Sequence, residues 1–163
     1  SVLPSIDFRA VPNLLVLRSL AKTAGLAGLR IGFALGHPDV VDRVGRVTGP
    51  YDVNSLAVTA AMAALNDQPY TDAYVEEVLR ARDWIVSVLT RQRVIHHVAG
   101  GNYLLVWPRR SAQLVDAKLR EAGILVRSMA GKPQIDGSLR VSIGTTEQMQ
   151  RFWLAYQAID SGL

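Results

Sequence analysis

At 163 residues, 49% hydrophobic and 20% charged, the chain has the composition of one ordinary globular domain, or a small domain with part of another. It has no cysteine, which excludes disulfides and thiolate metal sites and accords with a reducing compartment. The net charge of +4 does not amount to a nucleic-acid surface, because the arginines are scattered and several lie inside apolar strands.

In chain order, Leu14-Leu15-Val16-Leu17 is a continuous apolar run, the pattern of a strand buried on both faces of an α/β sheet. A second strand is predicted over 29–35, with a loop rich in alanine and glycine over 19–28. The span 14–36 is the most apolar of the chain. Arg18, Lys22 and Arg30 interrupt it, so no run of about 20 apolar residues is available to cross a membrane. The start, Ser1-Val2-Leu3-Pro4, lacks the charged segment of a secretory signal.

Pro38 opens a helix to about residue 47, which Gly49-Pro50 ends, and an alanine-rich helix is predicted over 55–65. Asn66-Asp67-Gln68-Pro69 marks a domain boundary, dividing 1–66 from 67–163. Beyond it, Val75, Val78, Leu79, Ile85, Val88 and Leu89 recur at helical spacing on one long amphipathic helix.

After Gly100-Gly101 a strand is predicted over 102–107. Ser111 then caps a helix that Gly123 closes, and further strands are predicted over 124–127 and 138–143. Thr145 caps the last helix, with Gln148 completing a capping box. Met149, Phe152, Trp153, Tyr156 and Ile159 give that helix one apolar face. The fold class expected is α/β: the remnant of a larger sheet domain over 1–66, then an α+β domain with a long leading helix over 67–163. His37, His96 and His97 lack metal-ligand spacing with nearby carboxylates, so no metal is expected.

The chemistry lies in Ser19-Leu20-Ala21-Lys22-Thr23-Ala24-Gly25-Leu26-Ala27-Gly28-Leu29-Arg30. A lysine flanked by small residues has room beside it for a bulky planar partner, and the neutral amine of a lysine attacks aldehydes. Arg30 and Ser19 could hold a phosphate. On spacing alone the lysine also fits an ordinary solvated loop. The Gly25 and Gly28 pair matches neither the dinucleotide nor the P-loop pattern.

This segment closely resembles the cofactor-lysine signature of class I and II aminotransferases, above all their histidinol-phosphate branch. The resemblance continues in family order through Pro50-Tyr51-Asp52-Val53-Asn54-Ser55, Gly101-Asn102-Tyr103-Leu104-Leu105, Gly123-Ile124-Leu125-Val126-Arg127 and Leu139-Arg140-Val141-Ser142-Ile143-Gly144-Thr145. It implies that Lys22 is the catalytic lysine that binds pyridoxal phosphate and shuttles a proton. It implies that Arg30 and Ser19 hold the cofactor phosphate, and that Arg140, with Arg127 near it, clamps the substrate's anion through a planar fork suited to carboxylate or phosphate. Ala21 stands where the family usually has a serine that reaches the phosphate.

The resemblance further implies a cytoplasmic homodimer that moves an amino group between histidinol phosphate, or a related amino acid, and 2-oxoglutarate or glutamate, in histidine biosynthesis. No nucleic acid and no membrane are expected as partners. A threonine-phosphate decarboxylase matches the same segments, and a truncated, non-catalytic module is the alternative from another class. Members of the family are about twice this length. The aspartate, tyrosine and glycine-rich turn that complete the cofactor site should precede Ser1, so the chain alone is expected to be inactive.

Overall fold

The first apolar run folds as strand β1 (Leu15–Ser19), which pairs antiparallel with β2 (Gly32–Gly36) in a register running from Leu15 opposite Gly36 to Ser19 opposite Gly32. The computed structural model describes residues 3–49 and 51–162. Pro50, part of the expected stop of the first helix, lies outside the described residues. Two compact units divide at residues 72 and 73.

In the first unit, β1 and β2 make a two-stranded sheet, and the expectation of a strand buried on both faces is not met. Leu15 and Val16 are half-buried and Leu17 is 73% exposed. A two-stranded ribbon has too few neighbours to cover both of its faces. The second strand is shorter than its apolar run. Residues 27–29 form a 3-10 turn, and Arg30 closes it in the left-handed conformation with φ 54°.

Helix α1 (Pro38–Gly45) follows β2, with Pro38 at its first position and His37 Nδ1 accepting the Asp39 N–H at 3.3 Å. That proline has no N–H to leave unsatisfied. Helix α2 (Ser55–Asn66) is capped by Asn54, whose Oδ1 accepts the Ala57 N–H at 2.8 Å. It buries Ala57 and Ala61, one turn apart on one face.

Helix α3 (Gln68–Arg91) starts after the single non-helical residue Asp67. In the second unit it buries Ala81, Ile85, Val88 and Leu89, the stripe expected of an amphipathic helix. Leu79 stays exposed. Strands β3 (Ile95–Val98), β4 (Tyr103–Trp107), β5 (Arg127–Ser128) and β6 (Leu139–Ser142) form an antiparallel sheet in the order β3-β4-β6-β5. Helix α4 (Ala112–Glu121) lies between β4 and β5 in sequence, and α5 (Thr146–Ser161) follows β6.

One sheet face is the core. Leu104, Val106, Leu139 and Val141 point to it and are almost wholly buried, with Ile85 and Leu89 of α3, Val115 and Leu119 of α4, and Met149, Phe152 and Tyr156 of α5. Full burial of such an aliphatic side chain contributes about 1.5–3 kcal/mol. The buried Asp160 carboxylate accepts the Tyr156 hydroxyl and the Arg110 N–H, each at 3.1 Å. This ties the end of α5 to the turn before α4. Burial and the adjacent Asp160 charge push the Tyr156 phenol above its ordinary value.

The strand expected over 124–127 is reduced to β5, and β3 was not expected. Ile124 and Val126 still pack on the core, but from an irregular segment. In β3 the usual polarity is reversed, with His96 and Val98 half-buried while Ile95 is exposed, so no apolar alternation marks this edge strand.

Candidate functional site

The residues singled out by sequence fall into two clusters, one in each unit. In the first unit the chain leaves β1 at Ser19, whose Oγ accepts the Ala21 N–H at 3.1 Å and starts the turn. A hydroxyl bonded to the backbone two residues on is a standard turn device. The Leu26 N–H then returns to the Leu20 carbonyl at 3.1 Å, and the Gly25 N–H reaches the Lys22 carbonyl at 3.2 Å. Gly25 takes φ +68°, a conformation in which a Cβ is strained.

This geometry turns Leu20, Ala21, Ala24, Leu26 and Leu29 inward and leaves Lys22 and Arg30 exposed. Among the described residues, nothing pairs with the Lys22 ammonium. Arg30 Nη1 donates to the Ala27 carbonyl at 3.2 Å; a guanidinium has five N–H donors, so most remain available. A Cβ added at Gly25 or Gly28 would meet nothing within 4 Å, so the loop's outer surface is open there.

Gly32, opposite Ser19, has the reverse requirement, since a Cβ there would lie 2.9 Å from the Arg18 carbonyl oxygen. A cavity of about 510 Å³ lies beside the loop, within the range of about 300–1,000 Å³ usual for small-ligand sites. Ser19, Leu20, Thr23 and Ala24 line it, with Phe33 and Leu65 among the others. Lys22 and Arg30 are outside that lining.

In the second unit the sheet face opposite the core carries Arg127 on β5 and Arg140 on β6, directly opposite each other in the ladder. The β5–β6 connection is pinned by the Met129 N–H to the Ser138 carbonyl at 2.9 Å, the Gly131 N–H to Asp136 Oδ1 at 2.7 Å and Trp107 Nε1–H to the Asp136 carbonyl at 3.0 Å. Arg127 is exposed and Arg140 half-buried. The Arg140 guanidinium carbon lies 4.2 Å from the Tyr103 ring centroid, and its buried Nε has no hydrogen-bond partner. Among the described residues, no carboxylate pairs with either arginine.

The segment after β6 is fixed by the N-terminus of α5. Thr145 and Gln148 form the expected capping box. Glu77 of α3 accepts the Thr146 N–H at 2.8 Å and an Arg80 N–H at 2.9 Å. The Thr146 backbone bond, then Arg80, hold the Glu77 carboxyl down at a pKa of about 2. Sequence reading missed Glu77, which meets its partner 69 residues away, and it gave Tyr103 no role of its own. The cue for Tyr103 is the β4–β6 register, which no local pattern supplies.

Among the described residues no group of three or more histidines, cysteines or carboxylates could hold a metal, and no helix is long and apolar enough to cross a membrane. A family model described as aminotransferase class I and II matches residues 5–154. Histidinol-phosphate aminotransferase 1 of Pseudomonas fluorescens is 38% identical over 143 residues, covering 85% of this chain and 41% of that protein. Histidinol-phosphate aminotransferase 2 of Haemophilus influenzae is 36% identical over 152 residues, covering 90% of this chain and 40% of that protein. The crystal structure of histidinol-phosphate aminotransferase from Sinorhizobium meliloti in complex with pyridoxal-5'-phosphate is similar in fold. Its TM-score is 0.79 at 23% identity, over 93% of this chain and 42% of that one. The chain thus spans about two fifths of the length of the curated relatives it matches.

Proposed function

The chain belongs to the class I and II aminotransferases, and on that premise we propose that the whole protein transfers an amino group between histidinol phosphate and 2-oxoglutarate, with pyridoxal phosphate bound at Lys22. The observation that carries this reading is the β1–β2 loop. It presents an amine with no partner among the described residues, a serine hydroxyl and a guanidinium within one closed turn system.

The residues present fit an aldehyde that bears a phosphate. Lys22 offers an exposed primary amine to the aldehyde. Arg30 has donors to spare for phosphate oxygens. Ser19 Oγ accepts the Ala21 N–H and keeps its own proton to donate. The open surface over Gly25 and Gly28 leaves room for a planar ring. Ala21 offers only a methyl where the family resemblance implies a serine hydroxyl, so one hydrogen bond to a charged group is lost, about 1.5–3 kcal/mol.

Bound pyridoxal phosphate supplies the electron sink that makes proton removal at the substrate's α-carbon feasible. Lys22 Nζ would hold the cofactor through its aldehyde carbon before substrate arrives, and would then move a proton from the substrate's α-carbon to that cofactor carbon. Arg30 would offset the phosphate's charge and, with the Ser19 hydroxyl, would orient it. Arg140, with Arg127 beside it, binds the substrate's anionic group through paired N–H donors. The reading includes a cytoplasmic homodimer, and the absence of cysteine accords with a reducing compartment. The division into a large-domain remnant over 1–66 and a small domain over 67–163 belongs to the same proposal.

The test is glutamate formation from histidinol phosphate and 2-oxoglutarate by the whole protein with added pyridoxal phosphate. Parallel double-reciprocal lines are expected when both substrates are varied, with turnover lost in Lys22→Ala. No glutamate from this pair would contradict the reading. Release of CO2 from threonine phosphate in its place would move the protein to the decarboxylases.

A further inference from the structure

We propose that Tyr103 is a positioning residue that holds the Arg140 guanidinium by its ring face and leaves the in-plane N–H edge free for an anion. The proposal rests on the reading of Arg140 as the group that binds the substrate's anion. In the β4–β6 ladder Arg140 lies opposite Leu105, and Tyr103 lies opposite Ser142. Tyr103 is therefore the diagonal neighbour of Arg140 on the face away from the core, within reach of long side chains. The guanidinium carbon stands 4.2 Å from the ring centroid, well inside the distance of about 6 Å at which a ring attracts a cation.

Arg140 needs such a holder. Arg127 stands directly opposite on β5, and two like charges in register repel. The Arg140 Nε is buried and without a partner, so no hydrogen bond anchors the base of the fork. A carboxylate would hold the guanidinium by occupying the same in-plane N–H groups that an incoming anion needs. An aromatic face attracts the cation from above and leaves those donors free. The ring has space because residue 101 is a glycine, where an added Cβ would come within 3.2 Å of the Tyr103 ring. A hydroxyl is not required for this role, whereas an electron-rich ring is.

The experiment measures inorganic phosphate binding by the whole protein and the NMR shift of the Arg140 Nε–H, in the parent, Tyr103→Phe, Tyr103→pentafluorophenylalanine and Arg140→Gln. Pentafluorophenylalanine keeps the ring's shape but drains its negative face, so a packing role alone would not register the change. Tyr103→Phe should bind phosphate like the parent, while the pentafluoro ring should weaken binding about two- to fivefold, the factor an exposed cation–π contact carries. The Nε–H resonance should be displaced by the ring in the parent and in Tyr103→Phe. A pentafluoro variant that binds like the parent, while Arg140→Gln binds poorly, would overturn the role of Tyr103 and leave the reading of Arg140 standing. Phosphate binding that is absent in the parent, or unmoved by Arg140→Gln, would overturn the reading of Arg140 itself. Should the pentafluoro chain fail to fold, monofluorinated and difluorinated phenylalanines replace it, and affinity should fall stepwise with fluorine number; no trend would overturn the proposal.

Discussion

Arg127 and Arg140 face each other across the β5–β6 ladder, two cations in register with no carboxylate pairing with either among the described residues. Like charges directly opposite destabilise a sheet, and an anion placed between them removes the penalty. Arg127→Gln should therefore raise the melting temperature of the anion-free chain at low salt and reduce the extra stability that phosphate confers. Molar salt should erase the first effect, because the Debye length falls to about 3 Å at 1 M, shorter than the spacing of directly opposite side chains. A lower melting temperature at low salt in Arg127→Gln would show that the pair is not under repulsion.

Glu77 gives the protein a defined acid limb. Its carboxyl is held down from 4.5 to about 2 by the Thr146 N–H and Arg80. A carboxyl lowered in the folded state is more acidic there than in the unfolded chain. Its contribution to stability is thus complete above 4.5 and fades as the pH falls toward 2. Glu77→Gln should flatten the fall in stability across that window and leave the chain less stable than the parent at neutral pH. Denaturant melts from neutral pH to pH 2 test this, and parallel curves for the two proteins would count against it.

Gly32 should tolerate no side chain. A Cβ at this position would stand 2.9 Å from the Arg18 backbone oxygen, and backbone in a paired strand cannot give way as a side-chain tip can. Gly32→Ala should cost about 1–3 kcal/mol, as overpacking does. It should also speed amide exchange across β1 and β2, because Gly32 pairs with Ser19 at the mouth of the lysine loop. Unchanged exchange in this ladder would mean that the strands adjust freely.

What the sequence made legible was local. The caps Ser111 and Thr145 with Gln148 stand where their side chains announced them, because each bond closes within three residues. The alanine-rich helix and the strand around Arg140 were readable for the same reason, with bounds shifted by a residue or two. Long-range geometry was not legible. Ile124 and Val126 are apolar enough for a strand, yet they reach the core from irregular backbone, so β5 keeps only two residues. Arg30 looked like the opening of a strand but closes a 3-10 turn at φ 54°, a cost that the loop's own hydrogen bonds offset. Within the candidate site Lys22 and Arg30 are proposed from their motif, whereas the place of Tyr103 beneath Arg140 depends on strand register.

The central claim is that Lys22 is the lysine that takes pyridoxal phosphate. Within residues 1–163 the lysines are Lys22, Lys118 and Lys132, and peptide masses separate each of them from the others and from lysines elsewhere in the whole protein. The whole protein is incubated with pyridoxal phosphate, reduced with borohydride, digested, and its peptides are weighed by mass spectrometry. The account predicts one stable pyridoxyl group, on the peptide that contains Lys22, and its loss in Lys22→Arg. A pyridoxyl group on any other peptide, those of Lys118 and Lys132 included, with the Lys22 peptide unmodified, would contradict it.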